Sequence, residues 1–290
     1  MEKVYTVKEV REQVKAWRRE GLTVGLVPTM GYLHEGHASL IKKAVEQNDK
    51  VVVSVFLNPT QFGPTEDLEA YPRDFEADCK LCESIGAAMV FHPEPSEMYA
   101  PDFCTWVDMD VLSKTLCGKS RPIHFRGVCT VVSKLFNIVT PDRAYFGQKD
   151  AQQLAIIRRM VRDLNMDIEI VGCPIVREED GLAKSSRNTY LNEEERKAAL
   201  ILSKAVFLGK KMVEDGETSA AAVKEAMIKK IESEPMAKID YVEAVDGLSM
   251  QPVEEIKAPV LVAMAVYIGK TRLIDLSLIH ISEPTRRSYI

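Results

Sequence analysis

Short apolar runs alternate with longer amphipathic segments through the first two thirds of the chain. Residues 22–28 and 51–57 are runs rich in valine and leucine, which predicts two buried strands. Residues 37–47 lie between them and carry apolar side chains at helical spacing, with Leu40 and Ala44 on one face. The order of these segments therefore predicts a strand, a helix and a second strand.

The same alternation continues along the chain. Further apolar runs predict strands at residues 87–91, 143–147 and 168–176, and amphipathic segments predict helices at residues 74–85, 127–139 and 151–164. Strands that alternate with helices form a parallel sheet covered on both faces, so the sequence predicts an α/β fold. Such sheets bind ligands beyond the carboxyl ends of their strands. A site is therefore expected in the loops after Val27, Leu57, Phe146 and Val176.

The pattern changes after Asn192. Two long amphipathic segments, residues 193–214 and 218–233, are followed by strand-like runs at residues 239–245 and 259–268. This arrangement predicts a smaller C-terminal α+β domain. We therefore divide the chain into a first domain of residues 1–186, a second of residues 187–275, and a tail of residues 276–290. The tail has no period and contains Ser, Pro and Arg-Arg, so it is expected to be non-native or disordered.

Composition and charge narrow the classes of function. The sequence holds 38 Lys and Arg against 43 Asp and Glu, a net charge of −5. A mildly acidic chain has no bulk attraction for nucleic acid or an anionic membrane, so neither is an expected partner. No apolar run reaches the roughly 18 residues of a membrane span, and the charged N-terminus lacks a signal-peptide core.

Cysteine usage predicts reduced thiols and a cytoplasmic protein. The six cysteines are scattered, and the C-x-x-C formed by Cys79 and Cys82 has no second pair at metal-binding spacing. Because charged residues surround this pair, it is expected on the surface of a helix.

The strongest chemical signal is the segment Gly31-Tyr32-Leu33-His34-Glu35-Gly36-His37, between the first strand and the first long helix. Histidines three positions apart lie one turn apart on the same face of a helix. The unpaired amides of a first helical turn attract anions, and a glycine lets a phosphate or base approach the backbone. The segment therefore predicts a nucleotide triphosphate site, with a zinc pair or two core histidines as the alternatives.

A second signal, Lys184-Ser185-Ser186-Arg187, follows the strand that ends at Val176. Its cations and hydroxyls suit a loop that closes over a triphosphate and meets the charge developing on pyrophosphate. Alone, such a run is typical of a solvated surface. Combined with the histidine segment in this order, it resembles the HIGH and KMSKS signatures of the nucleotidyltransferase superfamily, which includes class I aminoacyl-tRNA synthetases.

Two further segments narrow the resemblance to one family. They are Phe56-Leu57-Asn58-Pro59-Thr60-Gln61-Phe62-Gly63, followed by Tyr71-Pro72-Arg73, and Tyr145-Phe146-Gly147-Gln148-Lys149-Asp150 with Gln152 and Gln153. Together with Pro28-Thr29-Met30-Gly31 and Ser185-Ser186-Arg187-Asn188, they resemble the pantoate–β-alanine ligase (pantothenate synthetase) family. The resemblance implies a Rossmann-like domain with a small C-terminal domain, usually as a homodimer. It also implies ATP-dependent joining of pantoate to β-alanine through a pantoyl-adenylate, with AMP and pyrophosphate released.

The resemblance also implies roles for individual residues. His37 is the expected catalytic histidine, with His34 and Lys149 beside it. Gln61 and Gln153 are expected to hold pantoate, together with Asn58. The expected ATP contacts are Met30, Gly31, Tyr32, Leu33, His34, Glu35, Gly36, His37, Gly147, Gln148, Lys149, Asp150, Val176 through its backbone, Lys184, Ser185, Ser186 and Arg187.

Three positions need separate comment, because two have an alternative role and one differs from many members of the family. Asp78 lies where the family has an acid associated with Mg²⁺, and a solvated helix residue is the alternative. Asp150 could orient a ribose hydroxyl or cap the helix that begins after it. Lys184 stands where many members have Met, and an added cation is compatible with phosphate binding. The glutamine pair suits a hydroxy acid because one amide both donates and accepts.

Other functions fit the sequence less well. A nucleotidyltransferase that leaves AMP on its product would not need the glutamine pair. A tRNA-binding relative or RNA module would carry a basic, aromatic-rich stripe, which the chain lacks. Gly269-Lys270-Thr271 resembles the end of a P-loop, but Met264 occupies the position of the required upstream glycine.

Overall fold

The computed structural model describes residues 1–64, 66–257 and 259–279. The chain divides into two compact units. The first comprises residues 1–177 and 184–186, and the second comprises residues 178–183 and the chain from Arg187 onward. Residues 178–183, which the sequence assigned to the first domain, are thus grouped with the second.

The described part of the first unit contains a parallel sheet of six strands, and this confirms the predicted α/β class. The strands are β1 (Glu2–Val4), β2 (Val24–Thr29), β3 (Lys50–Val55), β4 (Met89–Phe91), β5 (Arg143–Gly147) and β6 (Glu169–Cys173). Their order in the sheet is β1-β4-β3-β2-β5-β6. Because β2 pairs in parallel with both β3 and β5, the carboxyl ends of these three strands lie side by side.

Helices cover both faces of this sheet. They are α1 (Val7–Arg19), α2 (Glu35–Gln47), α3 (Phe75–Ile85), α4 (Pro95–Met98), α5 (Leu116–Ser120), α6 (His124–Val139) and α7 (Ala151–Asp163). One apolar core includes side chains of α1, α6 and α7, and a second includes side chains of α2 and α3. The alternation of strands and helices therefore places hydrophobic layers on both sides, as parallel sheets require.

The N-terminal elements were missed because charged residues dominate the first twenty positions. Thr6 and Glu9 form a reciprocal capping box that begins α1. Val10, Val14 and Trp17 then follow at intervals of four and three, and all three are buried. A narrow apolar stripe is enough to anchor this helix, although most of its surface is polar.

The second unit has its own core. Its helices are α8 (Glu193–Ala198), α9 (Leu200–Glu214) and α10 (Ala220–Glu232), and its strands are β7 (Ala237–Asp246), β8 (Val260–Ile268) and β9 (Thr271–Ile279). The strands form an antiparallel sheet in the order β7-β8-β9. This confirms the predicted α+β class, although the single helix predicted over residues 193–214 is divided at Ala199.

The predicted start of the tail is wrong. Residues 276–279 belong to β9, which pairs with β8 along its whole length. Gly269 and Lys270 join the two strands, and Gly269 has a φ of 58°, so the Gly-Lys-Thr run is a hairpin turn. Leu276 and Ile279, in this last part of β9, are both buried. The rest of the predicted tail, residues 280–290, lies outside the described residues.

Two C-terminal truncations should therefore differ in stability. Removing residues 276–290 deletes four pairs of the β8–β9 ladder and the buried Leu276 and Ile279. Burying one such side chain contributes about 1.5–3 kcal/mol, so we expect a large fall in the melting temperature. Removing only residues 280–290 keeps every one of these β8–β9 pairs, so the melting temperature should fall far less. Thermal unfolding of both variants provides the measurement, and equal melting temperatures would contradict the assignment of β9.

Two other expectations concern the C-x-x-C pair and membrane-spanning helices. Cys79 and Cys82 lie on a helix as predicted, but both are buried and face the core rather than solvent. Burial raises the pKa of Cys82 to about 12. Among the residues that the structure describes, no helix combines the length and apolar composition that crossing a membrane requires.

Candidate active site

The chain leaves β2 through a tight turn that leads into α2. Gly31 and Tyr32 have φ angles of 85° and 53°, which glycine adopts freely and tyrosine does not. The carboxylate of Asp78 accepts hydrogen bonds from the backbone N–H of Tyr32 at 2.9 Å and of Leu33 at 2.7 Å. This turn determines where α2 begins and therefore where His34 and His37 lie.

His34 and His37 lie together at the start of α2. The Nδ1 atom of His34 accepts a hydrogen bond from the Gly36 N–H at 3.1 Å, and Nδ1 of His37 accepts one from the His34 N–H at 3.2 Å. The centroids of the two rings are 4.2 Å apart. Because a backbone N–H only donates, Nδ1 of each neutral ring is unprotonated and Nε2 carries the proton. Both rings therefore offer an Nε2–H donor.

Both imidazoles are neutral at physiological pH. Burial, followed by the positive charge of Lys149, lowers the pKa of His34 to about 4. Burial, followed by the charges of His34 and Lys149, lowers the pKa of His37 to about 3. Protonation would also cost each Nδ1 its backbone hydrogen bond. The pair thus supplies neutral donors, and Lys149 supplies the positive charge beside them.

Gly36 allows the ring of His34 to fold back over the helix start. A Cβ at this position would lie 2.8 Å from Cε1 and 2.9 Å from Nδ1 of His34. The sequence assigned this glycine to the close approach of a ligand, whereas the nearest group in the structure is the capping imidazole itself.

Residues 184–186 lie against the same turn and helix start. The Lys184 Nζ atom is 3.1 Å from a carboxylate oxygen of Glu35, and the Lys184 N–H donates to the carbonyl of Val176 at 3.0 Å. The Ser186 hydroxyl donates to the carbonyl of Tyr32 at 3.1 Å. Lys184 thus contacts the first residue of α2, and Ser186 contacts the turn that precedes this helix. Ser185 lies between them in the chain, and Arg187 belongs to the second unit.

Lys149, in the chain after β5, is the cation that acts on the two histidines. Residues Gln148–Asp150 form a short 3₁₀ turn between Gly147, where the strand ends, and α7. Lys149 makes no ion pair in the described part of the chain. Asp150 occupies the position that precedes α7, but its exposed carboxylate makes no capping hydrogen bond. The capping interpretation of Asp150 is therefore not supported.

The chain after β3 carries a buried polar pair. Asn58 is 1% exposed and Gln61 is 7% exposed, so both amides need partners within the protein. The side chain of Asn58 donates to Oε1 of Gln61 at 3.0 Å. Nε2 of Gln61 donates to the sulfur of Met30 at 3.0 Å. The segment predicted to bind pantoate, residues 58–61, is thus in direct contact with the segment predicted to bind ATP, residues 30–37.

Three supporting residues were missed because they are far away in sequence. Tyr99 donates its hydroxyl to Oδ1 of Asn58 at 2.8 Å, and Nδ1 of His124 lies 3.0 Å from the carbonyl oxygen of Gln61. The carbonyl of Gly127 accepts from Asn58 at 3.2 Å. Only Gly127, a glycine within a helical pattern, was a local signal of close packing.

Gln152 and Gln153 have different surroundings. The buried side chain of Gln152 donates to the carbonyls of Leu112 and Thr115 and accepts from the N–H of Cys117. Gln153 is half-buried and makes no side-chain hydrogen bond within the described residues. Gln152 thus fixes the 112–117 segment, whereas the amide of Gln153 remains available for a ligand.

The predicted magnesium role of Asp78 does not fit its surroundings. The residue is 3% exposed, and each carboxylate oxygen accepts a backbone N–H from the 31–33 turn. Within the described ranges, no group of three or more histidine, cysteine or acidic side chains is arranged to hold a metal ion. Mg²⁺ prefers several oxygen ligands in an octahedral arrangement, which one enclosed carboxylate does not supply.

The fold and the site define a class of protein. A helix start with two imidazole donors, a lysine and a buried amide pair meet at the carboxyl edge of a parallel sheet. This is the geometry of an α/β nucleotide-binding enzyme that handles a second, polar substrate.

Comparison with known proteins identifies the family. The family model described as pantoate-beta-alanine ligase matches residues 2–278. A pantothenate synthetase of Ruminiclostridium cellulolyticum is 66% identical over 275 residues, which cover 95% of this chain and 98% of that protein. One of Enterococcus faecalis is 63% identical over 270 residues, covering 93% and 96%. The chain therefore belongs to the pantoate–β-alanine ligase family.

Solved structures agree with this family and fold. Pantothenate synthetase from Thermus thermophilus has a TM-score of 0.92 at 44% identity and covers 97% of this chain and 100% of its own. The ligase from Francisella tularensis, complexed with beta-gamma ATP and beta-alanine, has a TM-score of 0.79 at 31% identity, with coverages of 96% and 97%.

Proposed function

We propose that this chain joins pantoate to β-alanine in two steps that consume ATP. In the first step, the carboxylate of pantoate attacks the α-phosphate of ATP, which forms pantoyl-adenylate and releases pyrophosphate. In the second, the amine of β-alanine attacks the acyl carbon and AMP leaves. A carboxylate is a poor electrophile because its leaving group would be oxide, and adenylation converts that oxygen into part of AMP.

The observation that carries this proposal is the contact between two segments of the site. Gln61, which is proposed to hold pantoate, donates to Met30 at the start of the segment that contains His34 and His37. A substrate bound at Gln61 would thus lie beside the group that binds phosphate. Fixing reactants in this way can supply about 7–11 kcal/mol of the barrier.

The phosphate-binding groups have complementary roles. His34 and His37 donate Nε2–H bonds to phosphate oxygens, and the α2 start adds its unpaired amides. Lys149 provides a compact positive charge for the same oxygens. When ATP binds, the Lys184 ammonium leaves the carboxylate of Glu35 and pairs with the triphosphate. This movement draws residues 184–186 toward the nucleotide and excludes water from the reactive pantoyl-adenylate. The contacts of Gly147, Gln148, Asp150, Ser185 and Arg187 with ATP remain predictions from the family resemblance.

The amides bind the second substrate. Gln61 and Gln153 hold the hydroxyls and carboxylate of pantoate, and Gln61 also lies near the incoming β-alanine. Asn58 acts mainly by holding Gln61, since its own amide is already bonded to Gln61, Tyr99 and Gly127. Family membership favours this assignment over a nucleotidyltransferase that leaves AMP on its product.

We further propose that Mg²⁺ enters as the counter-ion of ATP and that the enzyme is a cytoplasmic homodimer. Triphosphate oxygens and water satisfy the octahedral preference of Mg²⁺, and Asp78 is occupied by backbone amides. The free thiols of the described cysteines suit a reducing compartment. Light scattering on the full chain tests the dimer.

The two-step mechanism predicts isotope exchange without the amine. Incubated with ATP, Mg²⁺ and pantoate alone, the enzyme should incorporate labelled pyrophosphate into ATP, because the first step is reversible and does not involve β-alanine. Gln153→Ala should impair this exchange at low pantoate and recover at high pantoate. On addition of β-alanine, AMP and pyrophosphate should appear in equal amounts.

Reactions without pantoate provide the blank for this measurement. Exchange that begins only when β-alanine is present, together with failure to trap an adenylate, would argue for a single concerted step. Release of ADP and phosphate as stoichiometric products would reject attack at the α-phosphate.

A further inference from the structure

Asp78 occupies a position that neither metal binding nor solvent exposure explains. It lies in the first turns of α3, yet it is 3% exposed and faces the 31–33 turn rather than solvent. Burial raises the pKa of its carboxyl, while its bonds to the amides of Leu33 and Tyr32 act in the opposite direction. A buried carboxylate is retained only where specific donors compensate its desolvation.

The donors are two successive amides that converge on this carboxylate. Oδ2 accepts from Tyr32 at 2.9 Å and Oδ1 accepts from Leu33 at 2.7 Å. Successive N–H groups in a turn of this kind form a concavity that binds anions. Here the anion is supplied by the protein itself. The two bonds are charge-assisted, so they hold the turn more firmly than neutral hydrogen bonds would.

The turn needs such support because Tyr32 has a φ of 53°. A non-glycine residue in this region persists only when its surroundings over-determine it. The other side of Tyr32 is also held, since its carbonyl accepts from the Ser186 hydroxyl at 3.1 Å. Leu33, the second residue bonded by Asp78, directly precedes His34 in the chain.

We propose that Asp78 is a positioning residue, whose carboxylate fixes the 31–33 turn and thereby the orientation of His34 and His37. The route is short: Asp78 holds the Leu33 amide, the next amide is that of His34, and this amide donates to Nδ1 of His37 at 3.2 Å. Without the carboxylate, the turn loses two bonds and the histidine donors shift. This inference rests on the proposed function, because it assumes that these imidazoles bind phosphate.

Asp78→Asn tests the role in a side chain of nearly the same shape. Its amide offers one acceptor where two are needed, and its NH₂ group faces a backbone donor. We expect kcat to fall about 10²-fold, the effect of roughly 1 Å of misplacement at a reacting centre. We expect the KM for pantoate and the dependence on Mg²⁺ concentration to remain unchanged. An unchanged kcat, or a loss that saturating Mg²⁺ restores, would overturn the proposal, the latter in favour of metal binding.

Asp74→Ala is the matched control on the same helix. Asp74 caps α3 through the N–H of Ala77 at 3.0 Å. Its loss should lower the melting temperature of the protein while kcat stays near that of the wild type. If Asp74→Ala and Asp78→Asn lower kcat equally, Asp78 acts only through the stability of the helix and the proposal fails.

A measurement without substrates separates this inference from the proposed function. The ¹⁵N resonances of labelled histidines report which ring nitrogen carries the proton, and those of His34 and His37 should show unprotonated Nδ1 in the wild type. In Asp78→Asn these resonances should shift, and unchanged resonances would overturn the inference even if activity falls. If Asp78→Asn does not fold, Asp78→Glu displaces the carboxylate and is read in the same way. A wild type that forms no AMP would reject the proposed function while leaving the histidine result to stand.

Discussion

Replacing His37 with alanine is expected to lower kcat by about 10²–10³, the effect of removing one donor that stabilises developing charge. The Nε2–H of His37 is oriented before the reaction because Nδ1 is held by the His34 backbone. Negative charge grows on the phosphate oxygens as pyrophosphate leaves, so the donor is worth more in the transition state than in bound ATP. The KM for ATP should therefore change far less than kcat. Steady-state kinetics at saturating pantoate and β-alanine provide both constants.

Ser39→Ala is the control for this substitution. Ser39 lies in the same first turns of α2, and its hydroxyl donates to the Gly36 carbonyl at 2.7 Å. Its removal should leave kcat nearly unchanged. If both variants lose activity equally and melt early, the effect of His37 comes from helix stability rather than from its donor.

The pH dependence gives a second check on the histidines. The pKa of His37 is about 3 and that of His34 is about 4, both lowered mainly by burial. The two rings therefore stay neutral as pH rises through 6.5, the ordinary value for histidine. We expect the kcat of the wild type to show no inflection near pH 6.5 that depends on His37. The comparison is the pH dependence of kcat in His37→Ala. Such an inflection would mean that His37 acts as a proton carrier rather than as a neutral donor.

The sheet of the first unit could be predicted because each strand is a nearly continuous apolar run. Buried parallel strands need hydrophobic residues on both faces, so runs such as residues 51–57 are unambiguous. The structure begins and ends β3 within two residues of that prediction. The predicted span of β5, residues 143–147, is the same as the observed one. Elements without such runs, including β1 and the short helices α4 and α5, could not be recognised in this way.

β9 was missed for a different reason. In this antiparallel strand, buried and more exposed residues alternate from Thr271 to Asp275 and the alternation breaks at Leu276, so its pattern is weaker than that of a parallel strand. Ser, Pro and Arg-Arg follow Ile279 in the sequence, so residues 276–290 taken together show no clear period. The Gly-Lys pair directly after the apolar run of β8 is the local sign of a hairpin, because glycine adopts the positive φ that such turns require.

The site could be predicted as a set of motifs but not as a geometry. The order of strand ends along the chain indicated that the segments containing His37, Gln61 and Lys149 would share one edge of the sheet. No local pattern indicated that Asp78 accepts the amides of the 31–33 turn, because that contact joins residues more than forty positions apart. Nor could sequence distinguish Gln152 from Gln153, since one helical step decides which amide faces the protein interior.

The second substitution with a large expected effect is at Gly127, where α6 contacts residues 60 and 61. A Cβ added at Gly127 would lie 2.4 Å from the carbonyl oxygen of Thr60 and 2.6 Å from Cα of Gln61. Both are backbone atoms, so neither can rotate away as a side chain would. The helix and the turn must separate, and the hydrogen bond from Asn58 to the Gly127 carbonyl is then strained or lost.

Gly127→Ala is therefore expected to impair pantoate use far more than ATP binding. Overpacking should cost about 1–3 kcal/mol of stability. Displacement of Gln61 by roughly 1 Å should lower kcat/KM for pantoate by about 10²-fold. The KM for ATP should change little, because the start of α2 is held independently by its own capping bonds. Thermal unfolding and kinetics with each substrate varied in turn provide these values.

Gly63→Ala makes the same chemical change at the other end of the segment. A Cβ there would be 3.4 Å from the flexible side chain of Glu66, an ordinary contact, so both stability and kinetics should stay close to those of the wild type. The comparison isolates the close approach of α6 from the general effect of adding a methyl group. A Gly127→Ala variant with normal pantoate kinetics would show that the turn tolerates displacement, and Gln61 would then no longer be the residue that positions pantoate.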